Sequence, residues 1–155
     1  MYLLTVILLM FVAPVGSIYA DHSYLHTTAS LIELAGKWFV FWSAGVRLFV
    51  AGLRQFFQPR FTSEQILGIK SDDVLPFVRE LGVANFATGI IGIASLAKPS
   101  FTLPVAIAAG TFFGVAGMRH LAGGDKTGNM NIAMVSDLFV FLVLAAYVVD
   151  RKSVV

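Results

Sequence analysis

The chain contains no cysteine and few charged residues, and both shortages narrow its class. Without a thiol, its 155 residues cannot form disulfides, thiolate metal sites or a cysteine nucleophile. Charged residues make up 13% of the chain, about half the share of a soluble domain, whereas hydrophobic residues make up 57%. The mean hydropathy is +0.82. A water-soluble core of this size cannot bury so much apolar surface, so we expect a single integral membrane domain covering residues 1–155.

Other absences argue against whole classes of function. No run of basic residues alternates with exposed aromatics, and the net charge is only +2, so we expect no nucleic-acid partner. The segment 123–126 lacks the spacing and the preceding strand of a phosphate-binding loop. No nucleophile, base and orienting residue stand in a recognisable pattern. The sequence therefore leans against an enzyme that acts alone, without deciding the matter.

Long apolar runs predict an all-α fold with five membrane-spanning helices and one short interfacial helix. The spans are expected at 2–19, 31–57, 72–96, 102–121 and 129–149, and the interfacial helix at 62–69. The first run has no positively charged start and no small-residue cleavage site, so we interpret it as a retained helix rather than a signal peptide. Pro14 is expected to kink it.

Lysine and arginine are distributed unevenly between the two ends of these helices. We call the face of the membrane that holds the N-terminus side A and the other face side B. Side A collects Arg54, Arg60, Lys70, Arg119 and Lys126, whereas side B has Lys37, Lys98, Arg151 and Lys152. Basic residues favour the cytoplasm, so the sequence predicts a cytoplasmic N-terminus.

Ionisable residues inside the apolar runs are the best indication of a functional site. A charge in hydrocarbon costs several kcal/mol, so it needs a partner, water or a ligand. Arg47, Glu80 and Asp137 each lie about 12–15 Å from the side-A end of their own helix, by the rise of 1.5 Å per residue. We therefore expect them at one depth, with the guanidinium satisfied by two carboxylates. The predicted polar cluster, which is buried or binds a ligand, consists of Arg47, Arg79, Glu80, Asp137, Arg54 and His120, with Arg119 beside it.

Three interpretations of this cluster remain open at the level of sequence. In one, the cluster is purely structural and fixes which helices are neighbours, and in another it forms a path for protons or ions. It can also line a cationic cavity that opens to side A and suits a lipid head group, a quinone or a small anion. His22 and His26 lie four residues apart, but no third ligand is evident near them beyond Asp21, so we expect no metal site.

Small residues form stripes on three of the predicted helices. They are Gly45 and Gly52 on the second, Gly82 and Gly89 on the third, and Gly110, Gly114 and Gly117 on the fourth. Because small residues let membrane helices approach closely, we expect these stripes to pack the bundle internally. Contact between two copies of the chain through Gly110 and Gly114 is the alternative.

One block of sequence resembles known membrane families. Residues 37–55, KWFVFWSAGVRLFVAGLRQ, followed by 78–85, VRELGVAN, are similar to small uncharacterised bacterial multi-pass proteins and, distantly, to the DoxX-like families. The resemblance covers about 36–149 and implies a four-helix bundle, with the first helix as an addition. Only Arg47, Ala51 and Gly52 match the pattern, and no catalytic residue does. It implies an accessory subunit of a membrane redox complex, facing a quinone.

Three functions therefore remain in view. The first is an accessory membrane subunit that binds a lipid, quinone or small anion on side A. The second is a small proton-coupled transporter or channel that uses Arg47, Glu80 and Asp137. The third is a structural subunit of a larger assembly. The expected partners are the lipid bilayer and either other membrane subunits or further copies of the chain.

Overall fold

A computed structural model describes residues 2–123 and 127–152, and all regular structure in these ranges is helical. Five helices are long and apolar enough to cross a membrane: α1 (Tyr2–Ser23), α2 (Leu31–Phe57), α3 (Asp72–Ala94), α4 (Pro99–Ala122) and α5 (Gly128–Lys152). The prediction of an all-α protein with five spanning helices is therefore confirmed. The first turns of α3 and α4 are tight 3-10 turns, Asp72–Val74 and Pro99–Phe101.

Helix α1 is locally widened just before Pro14. Residues Leu8–Val12 are π-helical, and the Ala13 N–H donates to the carbonyl of Leu8 instead of that of Leu9. A π-helical bond to Leu9 would have to come from Pro14, which has no N–H. The Ser43 hydroxyl on α2 donates to this Leu9 carbonyl at 3.3 Å. The widened segment is thus satisfied from a neighbouring helix, and Pro14 is accommodated without ending α1.

A second π-helical segment, Val40–Val46, interrupts α2, and the Arg47 N–H closes it by donating to the Trp42 carbonyl. An inserted residue rotates everything beyond it by about 100°. The charged residues of the first turns of α2 lie before this segment, and each pairs with another helix. Lys37 pairs with Asp21 of α1 at 2.6 Å, and Glu33 pairs with Arg151 of α5 at 3.4 Å.

Helix α1 covers the face of α2 that carries the two tryptophans. The indole N–H groups of Trp38 and Trp42 donate to Asp21 at 2.9 Å and to Ser17 at 3.0 Å. The contact with Asp21 explains why α1 continues to Ser23, four residues past its predicted end. The last turn of α1 brings the buried Asp21 carboxylate to α2.

Glycines set the helix pairs. A Cβ at Gly52 would lie 2.6 Å from the carbonyl oxygen of Gly82, and one at Gly89 would overlap the backbone of α2. On the other pair, a Cβ at Gly114 would lie 2.7 Å from the Phe141 ring, and one at Gly117 would lie 2.7 Å from Leu138. The remaining two members of the predicted set also lie in these contacts; they are Gly45 against α3 and Gly110 against α5. Helix α3 therefore packs mainly on α2, and α4 mainly on α5.

The link between α2 and α3 folds onto the side-A end of the bundle. Its short helix runs over Phe61–Ile66 and is followed by Gly68, whose φ of 71° is in the left-handed region that glycine tolerates. The predicted helix began one residue later and was capped by Ser63. In the structure Ser63 is buried, and its hydroxyl donates to the Arg60 carbonyl at 3.2 Å.

Candidate functional site

A cavity of about 640 Å³ occupies the side-A half of the bundle. Every one of the five helices and the Phe61–Ile66 helix contribute side chains to its wall. Its volume lies within the range of small-molecule sites, roughly 300–1,000 Å³. Four residues of the predicted polar cluster line it, namely Arg47, Arg54, His120 and Asp137, together with Arg119.

The deepest charged group in the cavity is an ion pair between α2 and α5. Nη2 of Arg47 donates to Oδ1 of Asp137 at 3.2 Å, and the two side chains are 12% and 7% exposed. The guanidinium carbon also lies 5.3 Å from the centre of the Phe113 ring on α4, within the range of a cation–π contact. Arg47 thereby ties three helices together at one depth, and Asp137 neutralises its charge.

Glu80 and Arg79 do not join this pair. Both side chains are exposed and neither lines the cavity, so the structure does not bring these two members of the predicted cluster to Arg47 and Asp137. The reason is the rotation of α3. Its buried face against α2 begins at Val78 and continues through Gly82. Residue 80 lies about 200° round the helix from residue 78, which turns its carboxylate to the opposite, outer face.

Two cavity arginines have no carboxylate partner among residues 2–123 and 127–152. The guanidinium carbon of Arg54 lies 3.4 Å from the centre of the Phe61 ring, and Arg119 is exposed near the end of α4. His120, beside it, is half-buried. With Arg47 included, the described part of the lining carries three guanidinium groups against one carboxylate, Asp137, a net excess of two positive charges with histidine neutral. The cavity therefore favours an anion.

Neutral polar groups in the cavity were not singled out from the sequence. Gln55 lies next to Arg54 in the last polar turn of α2, and its Oε1 accepts from Nδ2 of the buried Asn85 at 2.8 Å. The Tyr2 hydroxyl of α1 faces the Arg47 guanidinium. Asn85 lies on the same face of α3 as its glycines, so the sequence could have predicted that it is buried. The sequence did not indicate a role for Tyr2, because Tyr2 begins a run without charged residues.

The two histidines near the end of α1 stand outside this site. His22 and His26 are exposed, and within the described ranges no three His, Asp or Glu side chains are grouped as a metal ion requires. Asp21, the third ligand considered for them, is instead engaged by Lys37 and Trp38.

Comparison with known proteins gives one match. No curated protein and no solved structure matches the chain. A family model described as a family of unknown function matches residues 1–154. Its coverage confirms that the chain is a member of an uncharacterised family, while the DoxX-like resemblance stays a prediction. On this match, the chain belongs to the family of unknown function DUF6790.

Proposed function

We propose that the protein is a non-catalytic membrane subunit that binds a lipid, a quinone or a small anion in the side-A cavity. The observation that carries this proposal is the combination of a cavity of about 640 Å³ with two arginines, Arg54 and Arg119, whose charges no described carboxylate neutralises. A guanidinium presents five donors in a plane, and it holds carboxylates and phosphates through paired hydrogen bonds. A bound anion would supply the missing acceptors.

The Arg47–Asp137 pair has a different role in this proposal. Because its charges already cancel, it does not compete for the ligand, and it holds α2 and α5 at the inner end of the cavity. A neutral polar group such as a quinone carbonyl would still find donors there. The same cavity therefore accommodates an anionic head group near Arg54 and Arg119 or a carbonyl near Arg47.

The cellular setting belongs to the same proposal. We place the N-terminus in the cytoplasm of a bacterial cell, with the protein in the inner membrane, on the basis of the basic residues of side A. The DoxX-like resemblance supports an accessory role in a membrane redox complex. Five apolar helices are compatible with an integral membrane protein.

A proton-coupled transporter is the second candidate, and one observation favours it. Asp137 is a buried carboxylate at the wall of a cavity, as a proton-carrying residue would be. Reconstituted vesicles with a pH-sensitive dye inside distinguish the two functions. Proton movement that depends on Asp137, and that a substrate gradient drives, would replace the binding proposal.

Mass spectrometry of the purified protein tests the binding proposal directly. The protein is extracted in a mild detergent, and small molecules that remain bound are compared between the native chain and the variant Arg54→Gln/Arg119→Gln. We expect an anionic or quinone-type molecule at up to one copy per chain, depleted in the variant and retained in Arg79→Gln, whose side chain lies outside the cavity. A chain that carries no such molecule in either form, and whose thermal stability no added anion or quinone raises, would be a structural subunit instead.

A further inference from the structure

We propose that the ligand is an anionic lipid, with a carboxylate or phosphate head, which enters sideways from the bilayer through a slot between α3 and α4. This inference rests on the proposed function and narrows it to one class of ligand and one route. It depends on three features of the cavity: its lateral opening, the apolar residues over part of its side-A end, and the position of two arginines that have no carboxylate partner among the described residues.

The lateral opening is shown by residues that belong to both the cavity wall and the outer surface. Val115 of α4 is 64% exposed and Leu81 of α3 is half-buried, yet both line the cavity. At the level of a membrane span, such a surface faces acyl chains. The cavity is therefore continuous with the hydrocarbon of the bilayer through an apolar slot.

The helix pairing explains why a slot exists at this place. Helices α3 and α4 are joined by a tight turn on side B, where the Phe101 N–H donates to the Lys98 carbonyl at 3.0 Å. Toward side A each helix follows another partner, because the glycines of α3 face α2 and those of α4 face α5. No glycine in the described ranges draws α3 against α4. The two pairs thus separate toward side A, and the gap is flanked by apolar side chains.

Apolar residues cover part of the aqueous end of the cavity. Phe61, Ile66 and Leu67, from the link between α2 and α3, all line the cavity at this end. The link is fastened to the bundle by the Thr127 hydroxyl, which donates to the Gln65 carbonyl at 2.9 Å. A lipid that is already in the membrane reaches the slot without passing these side chains.

Arg54 and Arg119, which have no described carboxylate partner, lie where the head group of such a lipid would come to rest. Arg54 is eleven residues from the middle of the widened segment of α2, three residues before the helix ends at Phe57. Arg119 is three residues before the end of α4 at Ala122. Both helices end on side A, so the two guanidinium groups stand at the level of the lipid head groups. Acyl chains would then fill the apolar wall below them.

Photo-crosslinking in lipid nanodiscs tests this proposal. The chain is reconstituted in phosphatidylcholine with hexadecanoate that carries a diazirine in mid-chain, and labelled peptides are mapped after irradiation. We expect saturable labelling of cavity residues on α2 and α4, displaced by unlabelled hexadecanoate or phosphatidic acid. The variant Arg54→Gln/Arg119→Gln should lose affinity about tenfold, since a hydrogen bond to a charged group is lost. Val115→Trp should block the slot without changing charge.

Matched variants serve as controls for both changes. Arg79→Gln removes an arginine outside the cavity, and Val83→Trp adds the same bulk at an exposed position of α3 that is 53% exposed. Both should label as the native chain does. Size-exclusion elution at the native position shows that each variant is folded, so that lost labelling reports binding.

The alternative outcomes separate this inference from the proposed function. Displacement by hexadecanol as strongly as by hexadecanoate means that the head charge is not recognised; it overturns the inference and leaves a quinone-like ligand open. If inorganic phosphate raises the melting temperature while no cavity residue is labelled, the lateral route is overturned and a small-anion site remains. Unsaturable labelling, together with no effect of any competitor on labelling or on the melting temperature, overturns both this inference and the proposed function.

Discussion

Removal of Arg47 is the sharpest perturbation of the bundle. Arg47→Met keeps the apolar stem of the side chain but removes the guanidinium, which leaves Asp137, whose side chain is 7% exposed, without its partner. Breaking a buried ion pair from one side costs about 3–5 kcal/mol, because the remaining charge stays desolvated. At about 2–4 °C per kcal/mol for a chain of this size, we expect the melting temperature to fall by roughly 6–20 °C.

The partner variant and the double variant give the coupling. Asp137→Leu alone should also destabilise the protein, since Arg47 then keeps its charge without the carboxylate. Arg47→Met/Asp137→Leu should be more stable than the sum of the two losses predicts, by about 0.5–3 kcal/mol, because neither charge remains. Thermal melting of each variant in detergent, followed by size-exclusion chromatography, measures all four corners of the cycle.

A charge on the outer face supplies the control. Arg79→Met should change the stability by no more than about 0.5 kcal/mol, because Arg79 is exposed and lies outside the cavity. Strict additivity in the cycle, or a loss in Arg79→Met equal to that in Arg47→Met, would refute the idea that a specific ion pair joins α2 and α5.

Four further substitutions test the packing, one of them as a control, and each is read by thermal melting in detergent. Gly89→Ala should cost about 1–3 kcal/mol, because its Cβ overlaps the α2 backbone, whereas Gly16→Ala, with nothing within 4 Å, should gain about 0.5–1 kcal/mol; equal effects would contradict the close contact. Ser43→Ala should cost about 1 kcal/mol by leaving the Leu9 carbonyl unpaired, and no loss would show that water replaces the hydroxyl. Asp21→Asn should cost about 1.5–3 kcal/mol through its two donors on α2, and an unchanged melting temperature would contradict their strength.

The number and type of helices were predictable from the sequence for a simple physical reason. A bilayer demands about twenty apolar residues per span, so five apolar runs of that length predict five helices. The ends were less accurate. Helix α1 continues through Asp21 because this carboxylate meets Lys37 and Trp38, and a contact between distant residues leaves no mark on local composition.

Half of the depth argument for the site agrees with the structure. Counting residues from the helix ends put Arg47, Glu80 and Asp137 at one level, and the structure pairs the first and the last. Glu80 is not part of this pair, because the depth of a residue along a helix does not determine which face of the helix it lies on. The glycines of α3 already marked its packed face, and a helical wheel drawn from Gly82 and Gly89 places Glu80 away from it. The sequence contained the correction.

The π-helical segments and the slot lay beyond prediction. An inserted residue in Val40–Val46 changes the direction of every side chain after it. The sequence of this segment, VFWSAGV, contains no proline that would reveal the insertion. The slot follows from which helices pair most closely. Glycine stripes occur on three helices, and the sequence does not say that α3 chooses α2 while α4 chooses α5.

A density map of the protein in nanodiscs made from native lipid tests the central claim most directly. We expect elongated non-protein density in the side-A cavity, with its head beside Arg54 and Arg119 and its tail leaving between Leu81 of α3 and Val115 of α4. A cavity that is filled only by ordered water, or closed by contact between α3 and α4, would contradict the account.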